Sequence, residues 1–188
     1  MNKSVSLKSL FSTKTLARQG VIAAVYVIFT LSGFGVSYGP VQFRYSEVMN
    51  WLAFLDPKNV IGLTIGCLIS NIWSPFGAID MVVGTLGTLL ATACMAKVSS
   101  KWVAGLFPSL FSFLYSGEAL FLGEITTDLF PIVTGQIMLS EFIITYIIGL
   151  PVMYFLTRNK AVHNTLLDAS TLPTKENLTG KKEFLFKL

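Results

Sequence analysis

Charge is what this sequence has least of. Only 13% of its 188 residues are charged, while 53% are hydrophobic and the mean hydropathy is +0.66. An ordinary soluble domain, with roughly a quarter of its residues charged, is excluded by that balance. Disorder over most of the chain is excluded too, because it needs low hydrophobicity and high net charge. Histidine is nearly missing: the single His163 lies in a polar C-terminal stretch. There is no HExxH zinc pattern, no GxSxG elbow and no Cys/His pair, so no motif supports metal or covalent catalysis. No GxxxxGK[ST] loop occurs, so ATP is not hydrolysed by that route. The two cysteines, Cys67 and Cys94, fall inside apolar runs without a CxxC partner and read as small buried hydrophobes. The net charge of +4 comes from basic residues scattered in small clusters between apolar runs, which is not the basic face a nucleic-acid binder presents.

What the chain has instead is a succession of long apolar runs. A spanning helix takes about 20 residues, so the pattern predicts an all-α integral membrane protein with six transmembrane helices. The first run covers Leu16 to Ser37 and ends at Gly39-Pro40. The segment before it is basic like a signal peptide's n-region, but the run is long and lacks a small-residue cleavage site, so it is expected to remain as the first span. Phe43 to Leu55 reads as a short amphipathic helix with Arg44, Glu47 and Trp51 on one face. Asp56-Pro57 ends it, with Pro57 suited to open the next helix. Helix three is predicted over Asn59 to Trp73. After the turn Ser74-Pro75-Phe76-Gly77, helix four covers Ala78 to Ala96, with a small-residue stripe of Gly77, Gly84, Thr88 and Ala91. Helix five runs from Trp102 to Phe121. A polar loop with Glu124, Thr126, Thr127 and Asp128 leads into helix six, Pro131 to Leu156, where Gly149-Leu150-Pro151 predicts a kink. This divides the chain into an N-terminal segment (1–15), a six-helix membrane domain (16–157) and a polar tail (158–188).

Six spans put the N-terminus, the loops after helices two and four, and the C-terminus on one side. Those segments hold Lys3, Lys8, Lys14, Arg18, Lys58, Lys97, Lys101, Arg158 and Lys160. By the positive-inside bias both termini are expected to be cytoplasmic. The opposite side then carries Glu118, Glu124 and Asp128, with Arg44 as its basic residue.

Ionisable groups at membrane depth are functional candidates by default. Arg44 and Glu47 at the start of helix two, Asp80 at the start of helix four, Glu141 in helix six and Asn71 at the end of helix three all converge on the outer zone. Plainer roles compete with ligand binding: Arg44 and Glu47 as an i, i+3 ion pair, and Asp80 as a helix cap. Glu141 sits among Ile, Phe, Leu and Ser and needs a partner from another helix or from a ligand. Phe43, Tyr45, Trp51, Trp73 and Phe76 border the zone, as ligand platforms or as an interfacial belt. Gly20 and Ala24, with Ala17 and Ala23 alongside, form a small patch on the first helix, suited to internal packing or to docking a partner membrane subunit.

Together, GPVQFRYSE (Gly39 to Glu47), IGLTIGCLISN (Ile61 to Asn71) and GAIDMVVGTLGTLLA (Gly77 to Ala91) resemble the queuosine precursor transporter family. SEFIITYIIGLP (Ser140 to Pro151) is similar to that family's closing Gly-Glu and Gly-x-Pro pattern, with Ser140 in place of Gly. The resemblance covers Leu16 to Leu156. It implies a substrate-binding S component of an energy-coupling factor (ECF) transporter in the bacterial cell membrane. Such a component works with a T component and two ABC-type ATPases, which use the ATP, and itself carries no cofactor. It also implies that Ala17, Gly20 and Ala24 contact the T component and that the protein topples in the membrane to release substrate inside. Helix five departs from the family, with Ser112 near the place of a typical Asn and an unusually acidic continuation.

The implied substrate is a 7-deazaguanine base: queuine, or a 7-cyano or 7-aminomethyl form. Its N1–H and exocyclic amine form a donor pair that one carboxylate accepts in bidentate fashion. Glu47, Asp80 and Glu141 are candidates for that role. Gln42, Arg44 and Asn71 are candidates to donate to the base carbonyl, with Arg44 alternatively holding Glu47. A second carboxylate would pair with an aminomethyl cation. Two other readings compete. A stand-alone carrier fits the composition, but inverted repeats with paired broken helices are not visible. An intramembrane enzyme using Glu141 and Asp80 as acid and base lacks a metal or nucleophile motif, and the chain is not expected to be an enzyme.

Overall fold

The computed structural model describes residues 12–38, 43–158 and 165–167. Among these the fold is helical throughout. Helix α1 spans Thr13–Ser32, capped by Ser12, whose hydroxyl accepts from the Thr15 amide. Its twenty residues rise about 30 Å, the thickness of a bilayer's hydrocarbon core. Gly33 interrupts the predicted first run, and a short α2, Phe34–Ser37, follows. The break has a packing cause. A Cβ on Gly33 would lie 2.5 Å from the Tyr45 ring, which occupies the space.

The predicted second helix differs most from expectation. Phe43 and Arg44 are non-helical, Tyr45–Asn50 is a 3-10 helix, and only α3, Trp51–Leu55, is α-helical. The whole segment rises roughly 20 Å, too short to cross a bilayer unaided. It is enclosed by its neighbours: Arg44, Ser46, Glu47, Asn50, Trp51 and Ala53 are all buried. At its end Asp56 accepts from the Lys58 amide at 3.1 Å, which holds a turn through Pro57. The next helix therefore begins at Asn59, two residues past the proline: α4, Asn59–Ser70, extended by a 3-10 turn at Asn71–Trp73.

Helix α5 spans Ala78–Lys97 and starts at Gly77, whose φ of 69° is one that L side chains rarely adopt. The fifth predicted helix is three consecutive pieces: α6 (Lys101–Ala104), α7 (Leu106–Phe111) and α8 (Phe113–Phe121). The sixth consists of α9 (Phe130–Phe142), a π-helical stretch (Ile143–Gly149) and α10 (Leu150–Arg158). The irregularity predicted at Pro151 thus takes the form of widened turns just before it, where the missing proline N–H would otherwise be needed. The Trp51 indole donates to the Thr145 carbonyl at 2.9 Å within that stretch.

Among the described residues, four helices are long and apolar enough to cross a membrane: Thr13–Ser32, Ala78–Lys97, Lys101–Phe121 and Phe130–Phe155, with Asn59–Trp73 a shorter apolar helix. Their outward faces are apolar, with Ile28, Val82, Phe121, Ile132, Ile147 and Phe155 exposed, while much of the interior is polar. That inversion of a soluble protein's layout suits helices solvated by lipid.

The tightest seam is between α1 and α4. Gly62 meets Gln19, which accepts from the Gly62 amide at 2.9 Å and donates to Asn59 at 3.2 Å. Gly66 meets Ala23 and Tyr26. These two glycines, four residues apart, let the backbones approach. Ala17, Gly20 and Ala24 lie off the seam and are exposed, with nothing within 4 Å of a Cβ placed on Gly20. Beyond α10, Leu167 packs into the cluster of Ile22, Tyr26, Leu52 and Leu63, and the Leu166 carbonyl accepts from Asn59 at 3.1 Å.

Gly66→Ala places a methyl 2.7 Å from the Tyr26 Cβ and is expected to destabilise the protein by about 1–3 kcal/mol through overpacking. Gly20→Ala is expected to be neutral or slightly stabilising, since it adds helix propensity without a clash. Thermal unfolding in detergent distinguishes the two.

Candidate functional site

Polar residues gather at the two ends of the helix assembly. At one end Arg18 on α1 pairs with Asp56 at 3.2 Å, close in sequence to Lys14 and Lys58. At the other end lie most of the predicted site residues, and their partners are not those the sequence suggested.

Arg44 does not form an i, i+3 pair with Glu47. It sits in extended backbone, φ −92° and ψ 108°, before the 3-10 helix begins, so the helical spacing the pairing assumed is absent. Its Nη2 instead donates to both carboxylate oxygens of Asp80 at 3.4 Å. Both side chains are essentially buried, at 2% and 0% exposure. Asp80 lies in the first turn of α5, but the N-cap is Gly77, and the carboxylate is spent on Arg44 rather than on capping. Gly84, one turn along, makes this possible: a Cβ there would sit 2.5 Å from Asn71 Nδ2 and 2.8 Å from Asp80 Oδ1. The Arg44 guanidinium also lies over two rings, Tyr115 at 5.3 Å and Tyr38 at 5.5 Å, an arrangement that favours a desolvated cation.

Glu47 is held from elsewhere. The Tyr26 hydroxyl donates to its Oε1 at 2.7 Å, and Asn50 Nδ2 donates to Oε2. Nearby, Thr30 donates to Ser46 at 2.7 Å. Asn71 directs its amide nitrogen to the Asp80 carbonyl at 3.0 Å and to the Cys67 sulfur at 3.6 Å. That leaves Oδ1, an acceptor, rather than the donor predicted for it. Cys67 is buried as expected, but it also takes part in the network, accepting from the Thr88 hydroxyl at 3.2 Å.

Glu141 is 3% exposed and its Oε2 has no hydrogen-bond partner. It interacts electrostatically with Glu47 and Arg44. Glu118 on α8 is 6% exposed, its Oε1 is likewise unpartnered, and it interacts with Asp80 and Arg44. Arg44 Nε is a buried donor without a partner. Buried polar atoms are nearly always satisfied in proteins, so these unpaired groups are the candidate contacts for a polar ligand.

Gln42 lies outside the described residues. Of the expected aromatic border, Tyr45 and Trp73 are exposed at 44% and 50%. Trp51 belongs to an apolar cluster with Phe54, Met95, Ala104 and Met153. The rings on Arg44 are instead Tyr38 and Tyr115, neither singled out in the sequence. Tyr26 and Glu118 were also missed as contributors. A tyrosine in the middle of one apolar span and a glutamate three residues before the end of another were the available signals.

Membrane-length helices with an apolar outside and buried polar clusters toward both ends define a multi-pass membrane protein. The chain belongs to the QueT transporter family, whose model matches residues 16–158. A curated relative from Lactococcus lactis subsp. cremoris (strain MG1363), named Queuosine precursor transporter QueT, is 49% identical over 72 residues. That match spans 37% of this chain and 42% of the relative, less than half the length of either. No solved structure matches the chain.

Removing Arg44 leaves Asp80 buried and unpaired. Arg44→Met is expected to destabilise the protein by about 3–5 kcal/mol. Adding Asp80→Asn to it is expected to recover at least half of that loss. Unfolding of both variants in detergent checks the pair; equal loss in the single and double variants would contradict it.

Proposed function

We propose that this chain is the substrate-binding S component of an ECF-type transporter that imports a queuosine precursor, a 7-deazaguanine base, across a bacterial cell membrane. Membership of a transporter family and the relative's name support the substrate class. The observation that carries the binding role is the set of buried, unpartnered atoms at one end: Glu141 Oε2, Asn71 Oδ1 and Arg44 Nε. They match the base in kind. A carboxylate accepts N1–H and the exocyclic amine, a guanidinium N–H donates to the ring carbonyl, and an amide oxygen accepts a ring N–H. In this reading Glu141 reads the amidine edge. Glu47 is held in place by Tyr26 and Asn50, and Asp80 fixes Arg44.

Six spans with both termini cytoplasmic fit the placement of charge. Lys14, Arg18, Lys58, Lys97 and Lys101 belong to helix ends and turns away from the binding cluster, which then faces outward. The exposed strip of Ala17, Gly20 and Ala24 is the surface for the T component, since small residues allow close approach of a partner helix. Two partner ATPases supply ATP hydrolysis, and this chain needs no cofactor. A stand-alone carrier is the alternative, and uptake by the purified chain alone in liposomes would favour it.

Calorimetric titration with the three deazaguanine bases, using guanine and an unrelated vitamin as controls, is expected to show tight binding of at least one base and none of the controls. Glu141→Gln is expected to weaken binding at least about tenfold, the scale of one charge-assisted hydrogen bond. Gly20→Trp is expected to leave ligand binding intact while blocking copurification with the T component. Retained copurification would remove the docking assignment.

A further inference from the structure

We propose that Glu118 is the counter-ion for a positively charged group on the transported molecule, so that the site selects an amine-bearing heteroaromatic base over its neutral isostere. This rests on the reading of the polar end as the ligand site, and it adds a residue and a selectivity to that reading.

Four acidic side chains interact electrostatically with Arg44. Asp80 accepts from it directly, Glu47 and Glu141 interact with it from the second and sixth predicted helices, and Glu118 interacts with it and with Asp80 from α8. Ionised, this set carries one positive and four negative charges, a net of about −3 in a partly dehydrated interior, where unpaired charge is expensive. Two of the four are accounted for internally. Asp80 has Arg44, and Glu47 has the Tyr26 hydroxyl and Asn50 amide. Glu141 and Glu118 are left, each with a buried oxygen that accepts nothing.

One carboxylate suffices for the donor edge of a guanine-like base, so the second calls for a further donor. Arg44 makes no hydrogen bond to Glu118: its Nη2 is shared between both oxygens of Asp80, and its Nε and the Glu118 Oε1 are both left without a partner. A metal ion is not indicated either: among the described residues no three His, Cys, Asp or Glu are grouped as metal ligands. Glu118 is also distinct from the acidic loop beyond α8. Glu124 and Asp128 are exposed to solvent, whereas Glu118 faces inward at 6% exposure. What remains is a cationic group carried by the ligand, which would supply both the charge and the hydrogen bond donor that Oε1 lacks.

The test compares 7-aminomethyl-7-deazaguanine with 7-cyano-7-deazaguanine on the purified full chain. The amine is expected to bind at least about tenfold more tightly than the nitrile. Glu118→Gln is expected to lower that ratio by about tenfold or more, and Glu118→Asp, which keeps the charge, to restore most of it. A wild-type ratio near one, or a Glu118→Gln variant in which both affinities fall together, would overturn the proposal. Glu118→Ala repeats the comparison if the Gln variant does not fold. Failure of the folded wild-type protein to bind either base would refute the deazaguanine reading instead. The ratio of 3-aminomethylpyridine to 3-cyanopyridine, read by thermal shift at millimolar concentration, then decides the role of Glu118. A preference for the amine that Glu118→Gln erases supports it, and no preference overturns it.

Discussion

The buried pairing of Arg44 with Asp80 is the constraint on which the polar end is built. A guanidinium enclosed at 2% exposure is tolerable in a membrane protein only when its charge and its donors are met. Several features of the chain follow from meeting them. Arg44 leaves the helix that would have pointed it along the second segment. Asp80 is drawn from capping to pairing. Gly84 gives up its side chain so that Asp80 and Asn71 fit against α5. Tyr38 and Tyr115 lay their rings against the guanidinium from two further parts of the chain. Asp80 takes the Arg44 Nη2, and Glu118 Oε1 and Glu141 Oε2 are left without hydrogen-bond partners.

The opposite end uses similar chemistry to a different result. Arg18 and Asp56 join the start of α1 to the turn that opens α4, and Gln19 and Asn59 continue the contact. Asn59 also holds the Leu52 and Leu166 carbonyls. There the polar groups tie backbone segments together. The proposed function places binding at the Arg44 end, and the small-residue strip of α1 is exposed on the outer surface.

The helical, membrane-embedded class was legible because it depends on composition and run length, which tertiary context does not alter. The convergence of Arg44, Asp80, Asn71, Glu47 and Glu141 was legible for the same reason: costly groups at membrane depth are few. Their pairing was not. It depends on Arg44 lying in extended backbone and on a 3-10 turn after it, and both follow from packing between α1, α4, α5 and the π-helical stretch. The Gly62 and Gly66 pair that seats α1 on α4 was visible in the sequence at the spacing of a helix-packing motif, whereas the small patch that drew notice, Gly20 and Ala24, faces outward. Tyr26 and Tyr115 lie within apolar runs, and nothing in the sequence marks the contact of the Tyr26 hydroxyl with Glu47 or of the Tyr115 ring with Arg44.

The central claim is that the Arg44 end, and not the Arg18 end, holds the transported molecule. A structure of the intact chain in lipid nanodiscs with the tightest-binding base tests it most directly. The account predicts ligand density in contact with Glu141, Asn71 and Arg44, bounded by Tyr115 and Glu118. Density beside Arg18 and Asp56, or on the exposed strip of α1, would contradict it.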